Sequence, residues 1–114
     1  MRKVILILII AVFALAIAVT SSLSYYDSRS REALVGTAMR ELRPHATVKE
    51  MAAFMEKYTV RSYLDRKYHH EYGGFIPQTR LDRLLLNRKL QIVLRVDDHD
   101  TFIGADARVF YTGL

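Results

Sequence analysis

The chain has 114 residues, no cysteine and a formal net charge of +5. Its length favours a single domain, and the lack of cysteine excludes disulfides, thiolate metal ligands and a lipid-accepting Cys. The basic residues are interleaved with acidic ones. Nucleic-acid binding would require a concentrated basic stripe with stacking aromatics, so we expect no nucleic acid partner.

An uncharged apolar run, Val4–Val19, follows Arg2 and Lys3 at the N-terminus. As a helix rising 1.5 Å per residue it is about 24 Å long, which approaches the ~30 Å thickness of a bilayer core. Apolar residues on every face of a terminal helix are not typical of a soluble protein. Residues 1–22 are therefore predicted to be a transmembrane anchor or a signal peptide, with the membrane contacted through residues 4–19.

Two signals near the end of this run favour different outcomes. Ala16-Ile17-Ala18 resembles the A-x-A cleavage site of a secretory signal peptide. Tyr25 and Tyr26 lie where the interfacial aromatic belt of a retained anchor would be. Both interpretations stay open, and we favour the anchor.

The charges before the run predict the orientation of the chain. Arg2, Lys3 and the N-terminal amine form a positive flank, which normally stays in the cytoplasm. We expect a single-pass inner-membrane protein with its N-terminus inside and its C-terminus outside. If the leader is cleaved, the body is instead secreted to the periplasm.

Residues 23–46 are predicted to form a first amphipathic helix or connector. Asp27 or Ser28 can cap this helix, and Pro44 ends it. The segment Thr20–Ser30 is the only candidate break between this helix and the apolar run, and the pattern leaves their continuity open. The apolar stripe comprises Leu34, Val35, Ala38, Met39 and Leu42.

The remaining residues, 47–114, are predicted to form a compact α+β domain. Thr47–Glu50 has the pattern of a capping box, and apolar residues at helical spacing predict an amphipathic helix over Val48–Lys57. Arg61–Tyr72 is predicted to be extended, and Gly73-Gly74 to turn the chain. The apolar positions of the helix are Met51, Phe54, Met55 and Tyr58.

The end of the chain predicts a short helical turn and then a β-hairpin. Leu81, Leu84 and Leu85 follow a cap at Thr79–Asp82, and the turn ends near Asn87. Apolar residues then alternate with polar ones over 90–96 and 103–111, on either side of Asp97–Asp100. A two- or four-residue loop pairs Leu94 with Ile103 and Ile92 with Ala105.

These elements together predict an α+β fold. A hydrophobic N-terminal helix is followed by two helices packed on a small antiparallel sheet of about three strands, which ends in the C-terminal hairpin. The capped helix introduced by Thr47, the extended segment and a hairpin ending in Phe110-Tyr111-Thr112-Gly113-Leu114 resemble, in layout, the BamE-like (SmpA/OmlA) domain of small bacterial envelope proteins. The resemblance covers roughly Leu42–Leu114 and implies a non-catalytic envelope scaffold, without assigning functional residues.

One group of residues consists of the residue types that commonly serve as metal ligands. His69, His70 and Glu71 are adjacent, and His99 lies in the predicted hairpin turn. A metal site needs three or four convergent ligands, and the H-x-x-x-H and H-E-x-x-H spacings are missing. We expect no metal and no cofactor, with these four residues as the candidates for the alternative of a small metal-binding enzyme.

A second group is basic, and could gather around the loop at 73–78 to hold a lipid headgroup or an acidic partner. The favoured function is a non-catalytic, membrane-tethered, extracytoplasmic binding or scaffold module, whose partner is an envelope protein or a lipid headgroup. An inhibitor or immunity-type protein is a further alternative. The basic residues are Arg66, Lys67, Arg80, Arg83, Arg88 and Lys89.

Overall fold

A computed structural model describes residues 1–113 and has the predicted α+β fold. The sheet contains four strands within the described residues, against the three expected, because the segment predicted as one extended stretch forms two strands. The elements are α1 (Arg2–Glu41), α2 (Val48–Tyr58), β1 (Arg61–Asp65), β2 (Glu71–Phe75), α3 (Arg80–Leu84), β3 (Arg88–Val96) and β4 (Phe102–Tyr111).

Helix α1 is continuous through the serine-rich stretch. Asp27 and Ser28 lie inside this helix, so the prediction that one of them is its N-cap is wrong. The segment Thr20–Ser30 contains no Gly or Pro, and hydroxyl side chains in a helix can bond to the preceding turn instead of breaking it. The helix ends at Glu41, three residues before Pro44.

By internal contacts the chain forms two units, Met1–Ser30 and Arg31–Leu114. The first unit is helical from Arg2 onwards, and an 18-residue window of α1 has a mean hydropathy of 3.1 with none of it buried. By length and composition this helix can cross a membrane or act as a signal sequence. The second unit, here called the body, holds the sheet.

The four strands of the body form an antiparallel meander in chain order, β1-β2-β3-β4. Gly73 and Gly74 lie within β2, so the predicted turn at these residues is wrong. A Cβ on Gly73 would lie 2.5 Å from the Tyr63 ring, and one on Gly74 would lie 2.6 Å from Thr59 Cγ2. Close approach on both faces of the strand therefore explains the two glycines.

The C-terminal hairpin forms, but its register differs from the predicted one by two residues. Leu94 pairs with Ala105, and Ile92 with Ala107. The loop is longer than expected because the Asp97 carboxylate accepts bonds from His99 N, Thr101 N and Thr101 Oγ1 at 2.7–2.9 Å. A register shift at Arg95/Val96 follows.

The core lies between one face of the sheet and two helices. Helix α2 begins as predicted, with Thr47 Oγ1 accepting from Glu50 N at 3.3 Å. The start of the body's part of α1 is fixed to edge strand β4, because Arg31 Nε donates to Ala107 O at 3.0 Å. The buried apolar residues of this core are Ala38, Leu42, Ala46, Met51, Phe54, Met55, Ile92, Leu94, Val96 and Phe102.

Candidate functional site

The face of the sheet away from the core carries a polar network that joins all four strands. The Tyr63 hydroxyl donates to Glu71 Oε1 at 3.2 Å and accepts from Gln91 Nε2 at 2.7 Å. An Arg108 guanidinium nitrogen lies 3.5 Å from Glu71 Oε2. Burial, and after it the nearby Glu71 carboxylate, raises the pKa of Tyr63, so its hydroxyl keeps the proton that it donates to Glu71. These hydrogen bonds and the ion pair link the four strands.

Helix α3 presents its apolar side chains to solvent and buries a charge. Leu81 and Leu84 are 50% and 74% exposed, whereas Asp82 is 7% exposed. Thr79 and Asp82 form a capping box, in which Asp82 N donates to Thr79 Oγ1 at 3.1 Å and Thr79 N to Asp82 Oδ2 at 2.9 Å. The usual arrangement of a surface helix, with apolar side chains inward, is thus reversed.

A buried ion pair fixes this orientation of α3. Arg88, the first residue of β3, donates to Asp82 Oδ1 at 2.8 Å, and its side chain is 2% exposed. Burial acts to raise the pKa of Asp82, but bonds from the Thr79 amide and the Arg88 guanidinium outweigh burial and lower it. Asp82 is therefore ionised, and the Arg88 charge is neutralised inside the protein.

A cleft of about 400 Å³ lies beside α3. Arg61, Arg83 and Lys89 supply three positive charges, and none of the described residues that line the cleft is acidic. None of the three forms an ion pair with an acid among residues 1–113. Such an arrangement suits an anion attached to an apolar group. The lining residues are Val60, Arg61, Phe75, Ile76, Pro77, Gln78, Arg83 and Lys89.

The structure brings together part of the predicted basic group. Arg83 and Lys89 line the cleft, and Arg80 is exposed at the start of α3. Arg88 is buried in its ion pair, so its inclusion in a surface patch was wrong. Arg61 was missed, because its place in the cleft depends on its pairing with Phe75 across β1 and β2.

The other two basic residues of the group lie at the opposite end of the strands. Arg66 and Lys67 belong to the turn between β1 and β2. Arg66 Nε lies 3.1 Å from Asp100 Oδ2, and Lys67 Nζ lies 5.2 Å from the centre of the Tyr68 ring. The predicted six-residue patch therefore does not form as one surface.

The candidate metal ligands are engaged separately. His69 Nδ1 lies 2.9 Å from Asp65 Oδ2, while Glu71 is part of the polar network. The turns that carry His70 and His99 are adjacent, because Val96 N donates to His70 O at 2.9 Å. Within the described part of the chain, no three His, Cys, Asp or Glu residues are grouped so as to hold a metal ion.

Comparison of the chain with protein-family models, curated proteins and solved structures finds no match. The resemblance to BamE-like domains therefore stays a prediction.

Proposed function

We propose that this protein is a membrane-tethered binding module whose body lies on the extracytoplasmic side and does no chemistry. The observation that carries the proposal is the apolar part of α1, whose length and hydropathy suit a bilayer core and which is exposed over the whole 18-residue apolar window. A helix with this much exposed apolar surface is stable in lipid, where its backbone groups are bonded internally.

The proposed orientation follows from charge. Arg2 and Lys3 precede the apolar run, and positive flanks are retained on the cytoplasmic side. The body, beyond Thr20–Ser30, is then on the far side. Tyr25 and Tyr26 follow the run at the level of a membrane interface, which favours a retained anchor over a cleaved leader.

Binding, rather than catalysis, is supported by how the body uses its charged groups. The carboxylates of Asp82 and Glu71 are held in ion pairs with arginine, and Asp65 Oδ2 lies 2.9 Å from His69 Nδ1. The cleft, by contrast, is lined by apolar residues and by three cations that have no ion pair within residues 1–113, which suits an anionic ligand. The proposed ligand is a lipid headgroup or an acidic region of an envelope protein.

The test is a pair of reporters fused after Leu114, alkaline phosphatase and a fluorescent protein, together with mass spectrometry of the N-terminus from washed membranes. We expect active phosphatase, no fluorescence and an intact N-terminus. The matched control replaces Arg2 and Lys3 by Glu, which should reduce the phosphatase signal. An intracellular reporter would contradict the orientation, and a new N-terminus after Ala18 would contradict the tether.

A further inference from the structure

The outward leucines of α3 belong to a larger apolar surface. Leu86, in the turn that follows the helix, is 53% exposed, and with Leu81 and Leu84 it makes three exposed leucines within six residues. The ion pair of Asp82 with Arg88 keeps these side chains outward. The inward side of α3, which a leucine would ordinarily occupy, holds the Asp82 carboxylate instead. The exposure of the leucines therefore follows from the fold itself.

Positive charge lies beside these leucines, and the basic residues that supply it form no ion pair with an acidic side chain among residues 1–113. Arg80 and Arg83 alternate with the leucines along α3. Arg83 also lines the cleft, together with Arg61 and Lys89. Asp82 is the only acidic residue between Ile76 and Val96, and Arg88 neutralises it. The α3 end of the body, defined by these four cations and the three leucines, therefore combines an apolar edge with a strongly cationic rim.

We infer that the α3 end binds the surface of an anionic phospholipid bilayer, with a headgroup phosphate in the cleft and the leucines in the lipid interface. Arginine and lysine bind phosphate through charge-assisted hydrogen bonds, and basic residues beside apolar ones are attracted to anionic leaflets. This inference rests on the proposed function, since it takes the membrane that anchors α1 as the ligand.

The tether makes such a contact reachable. Eleven residues, Thr20–Ser30, separate the apolar run from the body. These residues are part of the continuous helix α1, which rises about 1.5 Å per residue, so the body begins about 16 Å beyond the apolar run. Because α1 already anchors the protein, the α3 end is at a high effective concentration near the bilayer. Even a weak, shallow insertion of the three leucines can then hold the α3 end on the membrane for part of the time.

The lipid is favoured over a free phosphate compound because of the leucines. A soluble phosphate ligand would use Arg61, Arg83 and Lys89 but would gain nothing from Leu81, Leu84 and Leu86 outside the cleft. An anionic lipid engages both groups at once, because its phosphate is covalently joined to the apolar phase.

The chain contains no tryptophan, so a single Trp can report on the α3 end in the full-length protein. The protein carrying Leu84→Trp is placed in nanodiscs of neutral lipid, or of neutral lipid mixed with anionic phosphatidylglycerol, with brominated acyl chains as quenchers. We expect a blue-shifted, quenched Trp in the anionic discs. Ile103→Trp, exposed at the other end of the sheet, should remain unquenched in both.

The cleft is tested in the same discs by combining Leu84→Trp with Arg61→Gln, Arg83→Gln and Lys89→Gln. We expect loss of the quenching, with the fold retained by circular dichroism. The charge-matched control changes Arg40, Lys49 and Lys67 to Gln and should keep the quenching. Equal effects of the two triple variants would mean that net charge alone attracts the body, and would overturn the assignment of the cleft.

Two further results would overturn the inference. If Leu84→Trp stays unquenched in anionic discs while the protein remains in the disc fraction, the α3 end does not bind lipid, although the anchor stands. If inorganic phosphate binds the protein in neutral discs through Arg61, Arg83 and Lys89, while Leu84→Trp stays unquenched in anionic discs, the cleft binds a free phosphate instead. A protein absent from the disc fraction would contradict the proposed function itself.

Discussion

Asp82 and Arg88 form an ion pair in the interior of the body, with Asp82 Oδ1 2.8 Å from the Arg88 guanidinium. The side chain of Arg88 is 2% exposed, and that of Asp82, taken without its backbone, is 10% exposed. The pair joins α3 to the first residue of β3, and it determines which side of α3 contacts solvent.

Replacing Asp82 by Ala should destabilise the protein strongly. The change leaves the Arg88 charge buried without this carboxylate and removes the cap at Thr79, and breaking a buried pair in this way costs about 3–5 kcal/mol. The free energy of unfolding of the full-length protein in detergent micelles, measured with urea, checks this. Arg80→Ala, on the exposed side of α3, should cost less than about 0.5 kcal/mol, and similar losses for both would contradict the role of the pair.

Stability should fall when the pH drops below about 4, the usual range of a carboxylate pKa. Bonds from the Thr101 hydroxyl and amide lower the pKa of Asp97, and the His69 imidazole lowers that of Asp65. A carboxylate whose pKa is lower in the folded state stabilises the protein above its unfolded-state pKa. That contribution is lost as the pH falls through the folded-state value.

The Asp97 contribution to this acid effect can be isolated with Asp97→Asn. The variant should be less stable than the wild type at pH 7 and should lose less stability between pH 5 and pH 2. Urea unfolding at several pH values measures both quantities. Asp98→Asn removes the same charge from an exposed position of the loop and is the matched control. If the free energy of unfolding falls with decreasing pH by the same amount in Asp97→Asn and in the wild type, the prediction is contradicted.

Gly73→Ala should destabilise the outer face of the sheet by about 1–3 kcal/mol. The new Cβ would lie 2.5 Å from the Tyr63 ring, so the ring must leave its hydrogen bonds to Glu71 and Gln91. Gly36→Ala is the control, because a Cβ there meets no atom within 4 Å. In the interior of α1 that change should stabilise by up to about 1 kcal/mol.

A double variant shows whether the Tyr63 ring causes the loss at Gly73. When Tyr63 is already Ala, the added methyl at residue 73 no longer meets the ring that supplies its three nearest atoms, so Gly73→Ala should then cost much less than in the wild type. Thermal unfolding of the four proteins of this cycle measures the coupling. Additive losses would mean that the glycine is required for a backbone reason instead.

The sequence predicted those elements whose signals are local. The capping pattern at Thr47 and the apolar spacing after it indicated α2, and alternation indicated the last two strands. The separation of β1 from β2 was missed, because Gly73 and Gly74 usually mark a turn. Their place inside a strand depends on Tyr63 and Thr59, which come close only in the folded sheet.

The candidate site was only partly accessible to sequence reasoning, for a similar reason. Arg83 and Lys89 belonged to the predicted basic group, but Arg61 reaches the cleft through strand pairing with Phe75. Arg88 was misassigned because a charged residue is rarely buried, and only its pairing with Asp82 makes the interior position tolerable. Non-local contacts therefore decide which cations are available.

Leu86→Gly should raise the stability of the fold and weaken its contact with anionic lipid. Leu86 has φ = 52°, a left-handed conformation that costs an L side chain about 1–2 kcal/mol and costs glycine little. We expect a gain of about 1 kcal/mol in urea unfolding, together with less quenching of the Trp at residue 84 in anionic nanodiscs.

Leu84→Gly gives the opposite stability effect and serves as the comparison for Leu86→Gly. It removes the same side chain from the helical backbone of α3, where glycine costs about 1 kcal/mol. The wild type and the two variants can be compared by urea unfolding. A loss of stability in Leu86→Gly would show that its side chain is needed for packing, contrary to its exposure of 53%.

The meander order of the sheet has a consequence for how the body assembles. Each strand pairs with the one made just before it, so a chain emerging N-terminus first can add strands one at a time. Low sequence separation between partners favours rapid folding. The closure of β4 on the beginning of the body, through Arg31 with Ala107 and Ala46 with Phe102, must wait until β4 has been made.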